Sequence, residues 1–322
     1  MVDAEIGSYQ EAVERIWGYG ETHRTWGKWG VNDERGAVNY ITAESRVRAA
    51  QLVRRGAVFS LALPIRSGKG PQTASIIGRF NPIHHLTYSP EPESPHIDLG
   101  AETGMNDDLL MIGCHSSTHW DALSHNHYKG KMYNNFDAAE VNAHGARRNG
   151  IDKVHREFVG RGVLLDIARL KGVDVLEPGY SISSADLAEC AEKAGVFLGE
   201  GDILLIRTGM MTLVSGDDWS GYHSAPRSGL HYTTAEWLGQ NKVAAVASDT
   251  GGVEAPSPLP GINNPLHMIA LRDMGIHLGE FWYLEELADD CARDGVHEFM
   301  LAAQALPIEG GIGSPVNPIA IK

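Results

Sequence analysis

His115-Ser-Ser-Thr-His119-Trp-Asp121-Ala-Leu-Ser-His125 is the stretch of this 322-residue chain that says most about its fold and chemistry. It places three imidazoles and one carboxylate within eleven residues. Both groups are ligands for divalent metals, and a histidine beyond a three-ligand set is free to transfer protons. The stretch therefore predicts a metal site. The carboxylate, the surplus histidine and the absence of thiolate ligands favour a catalytic metal over the main alternative, a structural or regulatory one.

No single regular element can bring these four side chains to one ion. A straight strand puts the four odd-numbered residues on one face but separates His115 from His119 by roughly 13 Å. A continuous helix brings His115 and His119 together but turns Asp121 about 200° away from His119. The segment must bend, and we expect the bend at residues 116–118, because Ser and Thr side chains can satisfy local backbone groups.

Composition limits the classes of partner. The formal charge of −14 argues against nucleic acid and anionic membranes as partners, since both require a basic surface. No apolar run approaches the ~20 residues that span a bilayer, and the chain start lacks the pattern of a signal peptide. The three widely spaced cysteines form no disulfide framework or metal knuckle, which fits a reducing cytoplasm. We expect a cytoplasmic protein with a small-molecule substrate.

The chain reads as mixed α/β, and the absence of repeats and linkers predicts a single domain over residues 1–322. A short helix and a Trp-rich arm are expected within about residues 1–42. Helices are predicted to begin at Thr42, at Ser183 or Ser184, at Thr233 or Thr234, and at Asn264-Pro265. The first should reach about Arg55, the second should end near Gly195, and the last should stop at Gly275. Apolar runs predict strands at residues 58–63, 162–167, 202–207, 243–248 and 299–306.

Two long regions, residues 66–108 and 209–232, read as loops. Loops of this length are uncommon in compact domains unless they are functional, so we expect substrate contacts there. His84 and His85 in the first and His223 in the second are candidates, although exposed loop histidines are the simpler interpretation of the first two. Trp29 in the N-terminal arm is a further candidate, against the alternative that it only packs the arm.

The histidine-rich stretch resembles the pattern His-x-Gly-Thr-His-x-Asp-x-Pro-x-His of the cyclase-family metal-dependent hydrolases. That family includes bacterial kynurenine formamidase, isatin hydrolase and a trans-dienelactone hydrolase. Residues 29–42, 79–85, 160–166 and 247–254 are also similar to the longer members. The resemblance implies an α/β domain with a central, partly closed mixed β-sheet or barrel surrounded by helices. It also implies a homo-oligomer, either a dimer or a tetramer.

The resemblance also implies roles for individual residues. His115, His119 and Asp121 would bind the metal, and His125 would be the general acid/base. In dinuclear relatives a downstream His and Glu complete a second metal site.

The matching candidates for that second site are His267 and Glu280, with a supporting role beside the metal as the alternative for His267. The cofactor is thus expected to be one or two divalent ions, Mn or Zn, with manganese favoured for the longer members. Asp249 and Glu254 follow a predicted strand, and they either support the site or remain solvated.

Two positions depart from the family pattern, because Ser117 replaces its Gly and Leu123 replaces its Pro. Neither is a ligand position, so metal binding should survive. Both should shape the loop, and Ser117 is a candidate substrate contact. The departures bear on which substrate is bound more than on the type of reaction.

The function implied is hydrolysis of an amide, lactam, formamide or lactone bond of a small, cyclic or aromatic substrate by metal-activated water. A ring-closing cyclase or lyase of secondary metabolism on the same metal site is the second interpretation. A metal-stabilised binding protein without catalysis is the third, since fold alone does not fix function.

Overall fold

A nine-stranded mixed sheet lies at the centre of the computed structural model, which describes residues 7–73, 78–89 and 103–322. Four neighbouring strands are parallel and the remaining pairings are antiparallel. The sheet curls into a partly closed barrel with helices around it, as predicted. In spatial order its strands are Val58–Ser60, Ile319–Ile321, Glu298–Ala302, Val159–Asp166, Ile203–Arg207, Ala245–Ser248, His277–Glu280, His119–Asp121 and Gly313–Pro315.

The parallel strands are buried on both faces, which explains their nearly continuous apolar sequences. In Ile203–Arg207, Leu204 and Ile206 belong to one core cluster, whereas Ile203 and Leu205 belong to a second cluster on the opposite face. Alternate side chains of this strand therefore pack into two separate hydrophobic cores.

The helices surround this sheet. The α-helices are Tyr9–His23, Ala43–Ala50, Ile167–Leu170, Ser184–Lys193, Ser220–His223, Thr234–Gln240, Pro265–His267 and Glu285–Asp294. Single 3₁₀ turns are Gly36–Tyr40, Tyr133–Asn135, Ala138–Glu140, Ile151–Val154 and Met210–Leu213, and Met268–Met274 is a π-helix. Two-stranded pairs are Ser181–Ile182 with Gly229–Leu230, Ile83–Tyr88 with Asp107–Met111, and Val141–Asn142 with Gly145–Ala146.

The predicted helix starts are confirmed. The side chains of Thr42 and Ser183 each accept a hydrogen bond from the backbone N–H three residues on, within complete capping boxes. Thr234 and Pro265 begin the other two predicted helices, and the π-helix that follows Pro265–His267 stops before Gly275, which adopts the left-handed conformation.

The predicted end of the helix near Arg55 is wrong, because Ala43–Ala50 ends five residues earlier. The backbone N–H groups of Arg55 and Ala57 both donate to Lys322 O at 3.1 Å. The chain therefore leaves the helix to join the edge of the sheet. The predicted strand over residues 299–306 is also too long, since Glu298–Ala302 ends before Ala303.

The N-terminal arm packs against the π-helix through a buried cation. Arg272 is fully buried, and its guanidinium lies 3.9 Å from the ring centre of Tyr128 and 4.7 Å from that of Trp26. Trp26 Nε1 donates to Arg272 O at 2.7 Å. Cation–π contacts of this kind are strongest when desolvated, so they attach the arm to the core. Among the residues described, no helix combines the length and apolarity needed to cross a membrane.

Candidate metal centre

The short strand His119–Asp121 positions the centre of the site. It pairs antiparallel with two strands, so that Glu280 lies opposite His119 and Gly313 lies opposite Asp121. Residues two apart on a strand point to one face, which places His119 and Asp121 side by side. His119 and Asp121 are both fully buried, and His119 Nε2 lies 3.3 Å from Asp121 Oδ1.

Trp120 points to the opposite face and anchors this strand. It is fully buried, stacks on Phe158 at 4.6 Å and meets Trp282 edge-on at 4.8 Å. Its Nε1 donates to Ala303 O at 2.7 Å. Tight packing of Trp120 therefore fixes the orientation of the polar side chains on either side of it.

The bend predicted before this strand is present, since residues 114–118 form turns and bends. It returns His115 to the strand, and His115 Nε2 lies 3.3 Å from Asp121 Oδ1. A Cβ atom at position 313 would lie 2.6 Å from His115 Nε2, so this approach requires Gly313. The hydrogen bond between His119 Nδ1 and Ser117 O, at 2.7 Å, leaves Nε2 of His119 to face Asp121.

Glu280 and His267 lie beside these three residues. Glu280 Oε2 is 3.5 Å from His119 Nε2, and Glu280 Oε1 is 3.2 Å from His267 Nε2. His267 Nε2 is also 3.5 Å from Asp121 Oδ2. The two candidates that lie farthest from the motif in sequence therefore join one buried cluster, which we call the metal cluster: His115, His119, Asp121, His125, His267 and Glu280.

Glu254 orients His267. Its Oε1 lies 2.5 Å from His267 Nδ1, and its two carboxylate oxygens accept from the backbone N–H groups of Leu266 and His267 at 2.7 and 3.0 Å. The carboxylate thus satisfies the otherwise unpaired donors at the start of a helix. It also turns Nε2 of His267 toward Asp121, as carboxylates commonly do for metal-bound histidines.

The donor atoms of this cluster fit a divalent metal. His115 Nε2, His119 Nε2 and both carboxylate oxygens of Asp121 are buried without a hydrogen-bond partner. Buried polar groups normally have partners, so four such atoms at one point indicate a place for a bound cation. Donors about 2.0–2.2 Å from one ion lie roughly 3.0–3.5 Å from each other, which matches the separations above. Two sets of three share Asp121, namely His115, Asp121 and His125, and His119, Asp121 and Glu280.

Charge points to the same conclusion. Asp121 and Glu280 in the metal cluster and Glu254 beside it are nearly or completely buried, and buried carboxylates require a compensating cation. Burial raises the pKa of Asp121, but the charge of His125 and the close approach of the other histidines outweigh burial and hold that pKa well below its ordinary value. Burial lowers the pKa of His267, yet its close contacts with the carboxylates of Asp121, Glu254 and Glu280 raise that pKa well above normal.

His125 lies at the edge of the cluster. Its ring stacks on that of His115 at 4.4 Å, and its Nε2 is 4.0 Å from Asp121 Oδ1, whereas Nε2 of His115, His119 and His267 lies 3.3–3.5 Å from an Asp121 oxygen. Burial lowers the pKa of His125 to about 4, although the charge of Asp121 opposes this change. The side chain is 23% exposed, whereas that of His119 is fully buried. His125 is thus placed between the buried donors and the space above them.

A cavity of about 430 Å³ opens onto the cluster, a size that suits a small molecule. His125, His267 and Glu280 line it together with Arg79, Tyr222, His223 and Arg227. A larger cleft of about 710 Å³ is lined by Ser117 but by none of the cluster residues. Of these two, the smaller cavity, which we call the reaction cavity, is therefore the one that gives access to the metal cluster.

Residues 46–255 of the chain match the model of the family described as "Putative cyclase". The chain belongs to the cyclase family. A crystal structure described as a novel cyclase is 40% identical in sequence to this cyclase-family protein. The match covers 93% of this protein and 99% of the chain in that crystal structure, and the TM-score is 0.84. A comparison with curated proteins gives no significant match.

More distant cyclase-like structures include two isatin hydrolases. One, bound to the product analogue thioisatinate, is 17% identical over 87% of this chain and 98% of its own, with a TM-score of 0.59. Isatin hydrolase A from Ralstonia solanacearum is 19% identical over 87% and 96%, with a TM-score of 0.62. At these identities the likeness concerns the fold.

The residues of this cyclase-family protein that were predicted to contact the substrate differ in whether they line the reaction cavity. His223 lines the reaction cavity, as expected for residues 209–232. His84 and His85 lie on the exposed strand Ile83–Tyr88, where His84 Nε2 is 2.6 Å from Asp108 Oδ2, and neither lines the reaction cavity. Trp29 also lies outside the cavity lining and packs edge-on against Tyr40 at 5.0 Å. Residues 74–77 and 90–102 of the first predicted loop lie outside the described part of the chain.

The two departures from the family pattern are both buried. Ser117 is 5% exposed, and its carbonyl oxygen, rather than its hydroxyl, contacts His119. Leu123 is fully buried in a core cluster. Tyr222 also lines the cavity, as does Arg227, which sequence reasoning did not single out although it falls in the loop where substrate contacts were expected.

Proposed function

We propose that this cyclase-family protein is a metal-dependent hydrolase that opens an amide, lactam, formamide or lactone bond of a small, cyclic or aromatic substrate. The observation that carries the proposal is the convergence of four unpartnered, buried donor atoms of His115, His119 and Asp121 beneath a cavity lined by a further histidine. The fold likeness to isatin hydrolases is consistent with it.

His115, His119 and Asp121 would hold the first divalent ion, Mn or Zn, and Glu280 with His267 would hold a second ion beside Asp121. A metal bound there supplies Lewis acidity toward a carbonyl oxygen and lowers the pKa of water. Carboxylates and imidazoles together provide a mixed oxygen and nitrogen donor set, which suits either metal. Manganese is our preferred assignment because Glu280 adds oxygen ligands.

His125 would transfer the proton. Its Nε2 lies farther from Asp121 Oδ1 than the nitrogens of His115 and His119, and its ring lines the reaction cavity. From there it can take a proton from the attacking water and return it to the leaving nitrogen or oxygen. Loss of a general acid/base typically reduces the rate ~10²–10⁴-fold.

Glu254 and the backbone carbonyl of Ser117 would orient the ligands. Each holds Nδ1 of a histidine, so that Nε2 of His267 and of His119 faces Asp121. Partners of this kind fix the tautomer of a ligand histidine and raise its basicity, and their loss typically weakens metal affinity about 10–100-fold.

Chelation and metal replacement test the proposal. The purified protein is analysed for metal content, treated with chelator, and then supplied with Mn²⁺ or Zn²⁺ while proton release is followed in a pH-stat. N-formylkynurenine, isatin and an unsaturated lactone serve as substrates. We expect metal-dependent hydrolysis of at least one of them, together with a large loss of turnover but normal metal content in His125→Ala.

Other outcomes would identify a different reaction or contradict part of the proposal. Product formation without water uptake would identify a ring-closing cyclase or lyase instead. Full turnover by His125→Ala would remove its assigned role, and a protein that holds no metal would refute the metal centre. We also propose a cytoplasmic homo-oligomer, a dimer or tetramer, and light scattering coupled to size-exclusion chromatography tests its oligomeric state directly.

A further inference from the structure

The lining of the reaction cavity carries two positively charged side chains. They belong to Arg79 and Arg227. The one carboxylate among its described lining residues is Glu280, which is engaged with His119 and His267. This local excess of positive charge contrasts with the net charge of −14 of the whole chain.

Arg227 is held rigidly beside the metal cluster. Its Nε donates to Glu254 O at 2.9 Å, and its Nη2 donates to Asn264 Oδ1 at 3.4 Å. The side chain of the same Glu254 holds His267. The guanidinium is therefore connected to the cluster through one residue, so its position relative to the reacting centre is fixed.

The backbone around Arg227 is built to admit its guanidinium. Gly252 has φ +122°, and a Cβ atom there would lie 2.5–2.9 Å from Nε, Cζ and Nη2 of Arg227. The preceding N–H, that of Gly251, donates to the hydroxyl of Tyr222 at 2.8 Å, which holds this loop against the cavity wall. A glycine with a positive φ thus makes room for one charged side chain.

The pairing of Arg227 differs from that of a structural arginine in this molecule. Arg207, which is buried, pairs with both Asp166 and Glu285 at 2.7–3.1 Å. Within the described residues, no carboxylate lies within 4.0 Å of the guanidinium of Arg227 or of Arg79. A guanidinium that is fixed, partly enclosed and without a counter-charge is a preformed site for an anion.

We propose that the substrate of this enzyme carries a carboxylate group, which Arg227 binds in the reaction cavity with Arg79 as a second positive charge. The planar fork of a guanidinium matches a carboxylate, and the volume of about 430 Å³ accommodates a single-ring acid. The reaction assigned to this substrate rests on the proposed function, whereas the binding of the anion does not.

Binding and turnover are measured separately to test this proposal. Benzoate and benzamide, which have almost the same shape but differ in charge, are titrated calorimetrically into the wild-type protein and Arg227→Gln. We expect the wild type to bind benzoate at least roughly tenfold more tightly than benzamide. Arg227→Gln should lose most of this preference, a roughly tenfold to hundredfold change, because a charge-assisted hydrogen bond is lost. Arg227→Lys should retain part of it.

A matched control variant is included, and binding of benzoate to the metal is tested separately. Arg147→Gln removes an exposed arginine that pairs with Glu140, so the preference should remain unchanged. The titrations are repeated after chelation, because a carboxylate can also bind a metal. A preference that disappears on chelation but persists in Arg227→Gln would overturn the proposal, as would equal binding of both compounds, or no binding of benzoate, to the wild type.

Turnover measurements then distinguish a failure of this proposal from a failure of the proposed function. Formanilide and ortho-formamidobenzoate contain the same formamide bond but differ in the carboxylate. For ortho-formamidobenzoate, we expect Arg227→Gln to increase the Michaelis constant far more than it decreases the turnover number. Formanilide should show little change in either constant. If neither compound is hydrolysed while the benzoate preference holds, formamide hydrolysis fails but the anion site stands.

Discussion

Glu280 lies directly across the antiparallel ladder from His119, with its Oε2 3.5 Å from His119 Nε2. The pairing register of two strands therefore brings the carboxylate to a motif from which it is distant in sequence. A shift of one residue would turn Glu280 to the opposite face, where Trp120 packs in the core. Glu280 therefore joins the metal cluster only when the two strands pair in this register.

Glu280→Gln should weaken metal binding while preserving the fold. The amide keeps the shape of the side chain but removes its negative charge, so the site loses an anionic donor. We expect at least a roughly tenfold loss of metal affinity, measured by competition with a chromogenic chelator and by elemental analysis. Glu189→Gln is the matched control, since Glu189 is an exposed helix residue that pairs with Lys193. Unchanged metal content in Glu280→Gln would exclude it as a ligand.

Gly313→Ala should displace His115. The added Cβ would lie 2.6 Å from His115 Nε2 and 2.8 Å from Trp120 O, so the imidazole must move away from Asp121. We expect roughly tenfold or greater loss of metal affinity, together with a lower melting temperature. Gly18→Ala provides the control, because this exposed position in Tyr9–His23 has no atom within 4 Å of the new Cβ. That change should stabilise the helix by up to about 1 kcal/mol. Normal metal binding by Gly313→Ala would contradict the tight approach described here.

Local sequence signals predict much of this fold. The caps at Thr42 and Ser183 and the stop at Gly275 depend on hydrogen bonds to residues only a few positions away, which a sequence displays directly. The doubly buried strand Ile203–Arg207 is recognisable for a similar reason, since its apolar run is continuous. The bend at residues 116–118 follows from the reach of side chains that must meet one ion.

Other features depend on contacts between distant parts of the chain. The strands His119–Asp121, His277–Glu280 and Gly313–Pro315 contain charged, glycine or proline residues, so their sequences lack an apolar strand pattern. Their pairing arises from the packing of Trp120 on the opposite face. The burial of Glu254 and the orientation of Arg227 likewise depend on a loop and a helix that meet only in the folded protein.

Trp120→Phe should destabilise the protein. The substitution removes the donor to Ala303 O in a fully buried position and leaves a small void between Phe158 and Trp282. A buried unpaired carbonyl and a void together should reduce the free energy of unfolding by about 2–4 kcal/mol, measured by urea denaturation. Metal affinity should also fall, because Trp120 fixes the strand that carries His119 and Asp121.

A control distinguishes this effect from the general cost of losing an indole ring. Trp237 is only partly buried against the core, so Trp237→Phe should cost less than about 1.5 kcal/mol. Equal destabilisation by the two substitutions would mean that the buried hydrogen bond of Trp120 contributes little.

Asp249 should make the stability of the fold depend on pH. It is fully buried and accepts hydrogen bonds from the backbone N–H groups of Thr208 and Gly209 and from the hydroxyl of Thr208. Burial raises the pKa of Asp249 to about 6, although these hydrogen bonds lower it. A carboxyl group whose pKa is higher in the folded state than its unfolded value of about 3.9 favours the fold only while protonated.

The stabilising contribution of neutral Asp249 is therefore fully present below about pH 4 and is lost as the pH rises through about 6. A difference of about two between the folded and unfolded pKa values corresponds to about 3 kcal/mol. Because an amide does not titrate, the unfolding free energy of the wild type should fall by about this amount relative to Asp249→Asn between about pH 4 and about pH 7.5. Urea denaturation with chelator present throughout measures this difference without a contribution from pH-dependent metal binding.

Asp217→Asn serves as the control of opposite sign. The exposed Asp217 pairs with Lys69 and Arg66, and hydrogen bonds with them lower the pKa of its carboxyl group. Any contribution from Asp217 is therefore present above the unfolded pKa and lost as the pH falls, and solvent screening keeps it small. If the difference between the wild type and Asp249→Asn stayed constant across the same pH range, Asp249 would be ionised throughout it. The hydrogen bonds donated by Thr208 and Gly209, rather than burial, would then govern its charge.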